Sequence, residues 1–324
     1  MSVQVLTPGL LTTVQDSGRH GLRHLGVGCA GALDAYSLQV ANLLVGNDPD
    51  AAALEITLAG PRLRCERALR IAVCGADIDA HVDHLALPGW RPIDLPAGSE
   101  LTIGHCRRGA RGYLAIAGGI AVPRVLGSAS TDLRGGFGGL DGRALHAGDR
   151  LVLGATNVID TNQLHIARWW IDPTPDLDFD LPALARVLPG SDAMSPPDAL
   201  FEQAWQISSR SDRQGLRLEG IPMMLAGTLH SKADKRISEP VTPGTVQLPP
   251  DGQPIVLLAD AQTHGGYPRI GHVIAADLPR LAQLRPRETL RFAPVTRALA
   301  HAAWRAQRQR LQRIALAIKT KTST

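Results

Sequence analysis

The chain is short of cysteine, of aromatic residues and of long apolar runs, and two of these shortages each exclude a class of protein. Its four cysteines, Cys29, Cys65, Cys74 and Cys106, form no C-x-x-C pair and no zinc-ligand spacing. Reduced, partly buried thiols are the plain reading. No apolar run reaches the roughly 18 residues that a membrane span needs. The N-terminal stretch MSVQVLTPGLLTTVQDSG has neither a basic start nor an apolar core. No signal peptide is expected, and a cytoplasmic location is. Two chemical motifs are missing as well. The chain has no G-x-x-x-x-G-K-S/T, which argues against a P-loop, and no G-x-S-x-G, which argues against the nucleophile elbow of an α/β-hydrolase.

Acidic residues are absent from one region. After Glu288 there is none, while Arg291, Arg297, Arg305, Arg308, Arg310, Arg313, Lys319 and Lys321 follow. Without those eight cations the formal net charge of +4 becomes −4. The basic isoelectric point therefore belongs to a C-terminal tail and gives no evidence of a nucleic-acid-binding body.

What is present reads as a β-rich globular protein. At 324 residues, with 44% hydrophobic and 20% charged, the chain is long for one core, so two domains are expected. The segment 54–58 alternates in and out as a half-buried strand, and 68–74 and 112–117 are short apolar runs ending at glycine. Residues 246–248 and 255–258 flank PPDGQP, a turn centred on Asp251-Gly252. Two segments look helical. Residues 34–45 place Leu38, Ala41, Leu44 and Val45 on one face and stop at Gly46. Residues 296–318 carry Leu299, Trp304, Leu311, Ile314 and Ile318 on a loose stripe. A turn feeding a strand recurs at 95–104, 145–154 and 284–293. Between the halves, 155–185 is thinner, with Pro173, Pro175 and Pro182 and the aspartates 160, 172, 176, 178 and 180.

Polar residues gather beside glycine in four places. VQDSGRHG (14–21) offers Gln15, Asp16 and Arg19; ASTDLRGG (129–136) offers Ser130, Thr131, Asp132 and Arg134; SRSDRQG (209–215) offers Asp212 and Arg213. LLADAQTHGGYP (257–268) ends an apolar strand in Asp260, Gln262, Thr263 and His264, then Gly265, Gly266 and Tyr267. An Asp–Arg pair in such a loop either holds a turn or lines a site. Glu239 is either a second acid or a solvated glutamate. HVDH (81–84) puts two imidazoles three residues apart, on opposite faces of a strand, so no metal is expected. RGGFGGLDGR (134–143) has no lysine and no following helix pattern, and reads as a flexible loop.

Six segments carry a further signal in their order: TVQDSGRHG, GVGCAGALDAYSLQVANLLVGNDPDAAALEITLAGP, GYLAIAGGI, LGSASTD, SDRQGLRLEG and VQLPPDGQPIVLLADAQTHGGYP. Together they resemble the carboxyltransferase subdomain A/B (KipA-like) family, which includes the C-type subunit of bacterial 5-oxoprolinase, over about residues 3–293. The resemblance implies a mainly β fold: two cyclophilin-like β-barrel domains with few helices. These are expected at 1–155 and 185–293, with a basic C-terminal helix or tail at 294–324. It implies two partners, a KipI-like B-type subunit with an A-type one. The implied activity is ATP-dependent ring opening of 5-oxo-L-proline, a small cyclic amide, to L-glutamate. ATP would be used by the assembled complex. Two alternatives stay open: a biotin-dependent carboxyltransferase component of the allophanate-forming type, and a KipA-like regulatory binding protein.

Catalytic roles are expected for Asp260, Thr263 and His264. Substrate-binding roles are expected for Gln262, Gly265, Gly266 and Tyr267, joined by Asp16, Arg19, Asp132, Asp212 and Arg213. The chain departs from the family pattern at three positions. Ala261 stands where an arginine is expected, His264 where a threonine is, and Gln214 where a methionine is. The missing guanidinium removes a fixed bidentate cation, and His264 introduces an imidazole that can donate or accept a hydrogen bond.

Overall fold

The computed structural model describes residues 2–156, 161–190, 198–223 and 237–322; Asp160 of the acidic stretch lies outside them. The chain packs into two units. One comprises Met1–Arg19, Ala30–Leu177 and Arg310–Thr324, the other His20–Cys29 and Asp178–Gln309.

The first unit is built on a ten-stranded sheet in which Leu69–Val82 and Glu100–Ile116 form the long central antiparallel pair. Leu54, Ile56, Leu63, Ile71, Leu101 and Leu114 lie in its buried core. Each contributes about 1.5–3 kcal/mol by leaving water. The expected half-buried strand is Ala53–Thr57, and it is covered on both faces. Between Leu54 and Ile56, Glu55 is also buried; it accepts from the Tyr113 hydroxyl at 2.7 Å and from the Leu33 amide at 2.9 Å. An acid with two donors is retained inside because its lone pairs are satisfied.

The first expected helix forms as Ala35–Leu44. Asp34 caps it by accepting from the Ser37 amide at 2.9 Å, and Gly46 ends it at φ 80°, a left-handed turn that favours glycine. The thin stretch before residue 185 contributes more than a linker would. Asp176 is buried in a two-bond pair with Arg310, and His165–Ile166 adds a short strand beside Ile93–Leu95.

The second unit is a closed barrel of seven strands. In order around it they are Ala183–Pro189, Arg269–Val273, Thr245–Gln247, Ile255–Leu257, Gly215–Glu219, Trp205–Ile207 and Thr289–Pro294. Parallel pairing of the first and last strands closes it. The hairpin around Asp251-Gly252 forms as read, with Val246 opposite Val256 and Gln247 opposite Ile255. Val246, Val256 and Leu216 are buried and mutually opposed, so they mark the interior face. By the two-residue period of a strand, Gln247, Ile255 and Arg217 form a row on the outer face.

The C-terminal helix runs Arg297–Thr322. Its apolar stripe is only partly used: Ile318 is buried, whereas Leu299 and Trp304 are exposed. No described helix is long and apolar enough to cross a membrane.

Candidate functional site

The four polar loops fold as two pairs, one in each unit. In the first unit, VQDSGRHG meets ASTDLRGG. The Asp16 carboxylate accepts from Gly18 N at 2.8 Å, Ser128 Oγ at 2.6 Å, Ser130 Oγ at 2.5 Å and Ala129 N at 2.6 Å. A carboxylate has about four lone-pair sites, so this one is saturated by its own protein. Burial pushes its pKa up, but the hydrogen bonds outweigh burial and hold it below the usual carboxylate range.

Arg19 is likewise built in. Its Nε donates to the Val125 carbonyl at 3.1 Å, another nitrogen donates to the Ser130 carbonyl, and the guanidinium lies 4.7 Å from the centre of the Phe137 ring. Gly138, at φ 72°, allows this fit, since a Cβ there would stand 2.2 Å from both the guanidinium and the Ser130 carbonyl. The glycine-rich loop is therefore closely packed at Gly138 and Gly139, while Arg134, Gly135, Gly136 and Asp141 are exposed. Asp132 accepts from Arg134 N at 3.1 Å and Gly135 N at 2.8 Å, an Asx-type turn.

In the second unit, SRSDRQG meets LLADAQTHGGYP. Arg213 donates to Asp260 through two bonds, Nε at 2.7 Å and a terminal nitrogen at 2.9 Å, with both side chains nearly buried. Asp260 is thus held in a fork-to-fork latch between the two loops. Beyond it the chain forms a two-residue strand, His264–Gly265, which pairs with Glu239–Pro240. Thr263 is buried, His264 is exposed, and Thr263 Oγ1 lies 3.0 Å from His264 Nδ1. Glu239 forms an ion pair with Arg269.

Ala261 is 1% exposed and packs with Val241 and Leu257, so the expected arginine has no counterpart at this position. A guanidinium reaches the same backbone from elsewhere. Arg23 donates to the carbonyls of Val241 and Gln262, the latter at 2.8 Å.

A cleft of about 260 Å³ opens beside this loop on the outer face of the barrel. Its base is the row Arg217, Ile255 and Gln247, with Gly215 and Leu257 one pleat further along. Gln262 and Tyr267 wall it from the 257–268 loop, and Arg210, Asp212 and Gln214 from the 209–215 loop. Gln262 Nε2 donates to Gln247 Oε1 at 3.4 Å. Gln247 Nε2 is buried with no hydrogen-bond partner among the described residues. It lies against Gly265, where a Cβ would come within 2.4 Å of it. The two acids of the cleft serve their turns: Asp212 accepts from Gln214 N at 2.8 Å, and Asp251 accepts from Gln253 N at 3.0 Å.

Of the residues expected to act on a substrate, Asp212, Gln262 and Tyr267 line this cleft. Asp260 and Arg213 form the latch beside it, and Gly265 makes room for Gln247. Thr263, His264 and Gly266 are not among the lining residues. Asp16, Arg19 and Asp132 belong to the first unit's loop lock. Gln247, Arg217 and Arg210 also line the cleft, and sequence reasoning did not single them out. One signal for Gln247 was available: Thr245-Val246-Gln247 alternates polar, apolar, polar on a short strand, which turns Gln247 to the face opposite a core valine.

Comparison with known proteins gives a consistent result. The family description "Carboxyltransferase domain, subdomain A and B" matches residues 25–294. The chain is 42% identical over 298 residues to the C-type subunit of 5-oxoprolinase from Escherichia coli (strain K12), covering 90% of each chain. It is 36% identical over 298 residues to the C-type subunit of 5-oxoprolinase from Haemophilus influenzae, covering 91% of each. Among solved structures, the K. lactis urea amidolyase superposes with a TM-score of 0.86 at 29% identity; the match covers 97% of this chain and 20% of that one.

Proposed function

The chain belongs to the carboxyltransferase domain, subdomain A and B, family, and from that premise we propose that it is the C-type subunit of a 5-oxoprolinase. In this reading it takes part, with a KipI-like B-type subunit plus an A-type one, in the ATP-dependent hydrolytic opening of 5-oxo-L-proline to L-glutamate. The observation that carries the reading is the near end-to-end match to two chains that bear the name of this 5-oxoprolinase component. Both are matched over almost their whole length, as a subunit should be and a borrowed domain need not be.

The reaction sets the demands on the protein. A lactam is resonance-stabilised, so its carbonyl must be polarised before water attacks. The new C–O bond then forms at the carbonyl carbon, the C–N bond breaks, and the nitrogen takes up a proton. Donors that hold the developing oxyanion and a group that moves the proton are the contributions a protein makes. ATP, when bound, supplies activation of the amide oxygen by phosphorylation. This chain's one glycine-rich loop does not fit a triphosphate, because Gly138 is packed onto Arg19 and Ser130. We therefore assign ATP to the partner subunits. The amide groups of Gln247 and Gln262 and the guanidinium groups of Arg210 and Arg217 are this chain's share. They bind and orient the substrate.

The test is reconstitution with A-type and B-type subunits from the same source. The expected result is ATP hydrolysis that depends on 5-oxo-L-proline and yields one glutamate per ADP. Hydrolysis indifferent to 5-oxo-L-proline, with no glutamate formed, would overturn the reading. The likeness to urea amidolyase over 97% of this chain favours a second reading, the acceptor half of a biotin-dependent carboxyltransferase. That reading requires carboxyl transfer from a biotinylated carrier in the same assay. A third, a KipA-like regulatory module, requires tight partner binding with no substrate-dependent turnover.

A further inference from the structure

Gln247 combines two properties that rarely coincide. It is 1% exposed, although it stands on the outer face of the barrel, and its amide nitrogen has no partner among the described residues. Buried side-chain polar groups are nearly always hydrogen-bonded, because leaving one unpaired costs about 1–3 kcal/mol. The fold also makes room for this amide by placing Gly265 against it. A donor without a partner among the described residues, on a side chain that lines a cleft, is a candidate to meet an acceptor that a ligand brings.

The charges around the cleft indicate what brings that acceptor. Arg210 and Arg217 both line it, and neither guanidinium has an ion-pair partner among the described residues. Asp212 and Asp251 are engaged by their own turn amides. The cleft therefore offers two guanidinium groups whose positive charge no ion pair takes up among the described residues, beside the amides of Gln247 and Gln262, which touch. A volume of about 260 Å³ falls below the roughly 300–1,000 Å³ of pockets for drug-sized molecules, which selects a small ligand.

We infer that this cleft is a recognition site for a small, carboxylate-bearing amide, with Gln247 and Gln262 engaging the amide and Arg210 and Arg217 engaging the carboxylate. A primary amide both donates and accepts, so a pair of glutamines matches a substrate amide. Guanidinium is the side chain best shaped for a carboxylate. The choice of 5-oxo-L-proline as the probe rests on the reading of the chain as part of a 5-oxoprolinase; the site itself rests on the geometry.

The experiment is calorimetric titration of the full chain, alone and in the reconstituted complex. Three probes are used: 5-oxo-L-proline, 2-pyrrolidinone, which lacks the carboxylate, and L-proline, which lacks the lactam carbonyl. Binding of 5-oxo-L-proline at least tenfold tighter than the other two is expected, since a tenfold change is about 1.4 kcal/mol. Gln247→Leu should weaken 5-oxo-L-proline and 2-pyrrolidinone by about tenfold or more and leave L-proline unchanged. Arg217→Ala should weaken 5-oxo-L-proline and L-proline and spare 2-pyrrolidinone. A thermal melt of each variant checks folding, and Gln262→Leu gives an independent reading where one variant fails to fold.

Equal binding of the three probes, or full binding by the Gln247 and Arg217 variants, would sink the proposal. The two readings fail separately. If the complex turns over 5-oxo-L-proline with an unchanged KM in these variants, the 5-oxoprolinase reading survives and the site does not. If the cleft binds the probe as described but the complex never hydrolyses it, the site survives and the 5-oxoprolinase reading does not.

Discussion

The two units use the same ingredients, an aspartate, an arginine and glycines in facing loops, to opposite ends. In the first unit the aspartate and the arginine are both turned onto other parts of the protein, and the buried Gln15 Oε1 lacks a hydrogen-bond partner among the described residues. Asp16 takes four donors, Arg19 is spent on carbonyls and on the Phe137 ring, and Gly138 lets the glycine-rich loop lie flat on both. In the second unit the corresponding pair, Arg213 and Asp260, closes just as tightly, and a cleft lies beside the two loops it joins. There two guanidinium groups have no ion-pair partner, and the Gln247 amide nitrogen no hydrogen-bond partner, among the described residues. Residue types alone do not separate the two arrangements; the open cleft beside the second does.

The comparison breaks most readily at the latch. Asp260→Ala should lose about 3–5 kcal/mol of stability in chemical denaturation, because it strands a buried guanidinium. The double change Arg213→Met with Asp260→Leu should recover much of that, since removing both charges is often close to neutral. A cost under about 1 kcal/mol for the single change would show that the latch carries little.

The lock comes next. Asp16→Ala should cost roughly 3 kcal/mol by leaving buried donors unsatisfied, with no selective effect on binding of 5-oxo-L-proline by molecules that remain folded. Its pH dependence has a definite sign. The folded pKa of Asp16 is depressed, so its contribution is complete above the unfolded value of about 3.9 and is lost as pH falls through the folded value. Urea midpoints taken downward from pH 5 should fall less steeply in Asp16→Asn than in the parent chain. An identical slope would show that Asp16 is not held below its usual range.

The smallest effects sharpen the contrast. Gln247→Leu should leave stability within about 0.5 kcal/mol of the parent, or raise it, because an unpaired donor is removed. The equivalent loss at Asp16 is several times larger. His264→Ala should also stay within about 0.5 kcal/mol, since the side chain is exposed. Any fall in turnover in that variant would then report chemistry and not folding.

Local patterns in the sequence were a good guide to local structure. The Asp34 cap, the Gly46 stop and the hairpin around Asp251-Gly252 are each written within a few residues, and each forms as read. The four polar loops were also legible as unusual. Which of them meet was not, because Asp16 and Ser130 lie 114 positions apart and Arg213 and Asp260 lie 47 apart, and no local period carries such a pairing. That Asp260, expected to act in catalysis, is paired with Arg213 was out of view for the same reason. Gln247 and Arg217 went unnoticed for a related reason. They share a face only through the register of three short strands, and a strand of three residues such as Thr245–Gln247 gives period-2 alternation too little length to stand out. The alanine at position 261 could be seen, but not that Arg23 approaches the same backbone from 238 residues earlier in the chain, a span read from their numbering.

Backbone amide hydrogen exchange of the full chain, with and without saturating 5-oxo-L-proline, tests the central claim most directly, because it reads both loop clusters in one sample. Slowed exchange is expected in the segments around 210–217, 247–255 and 262–267, with no change around 16–19 and 128–132. Protection confined to the 16–19 and 128–132 loops would contradict that claim, and would make the first unit's lock the binding site.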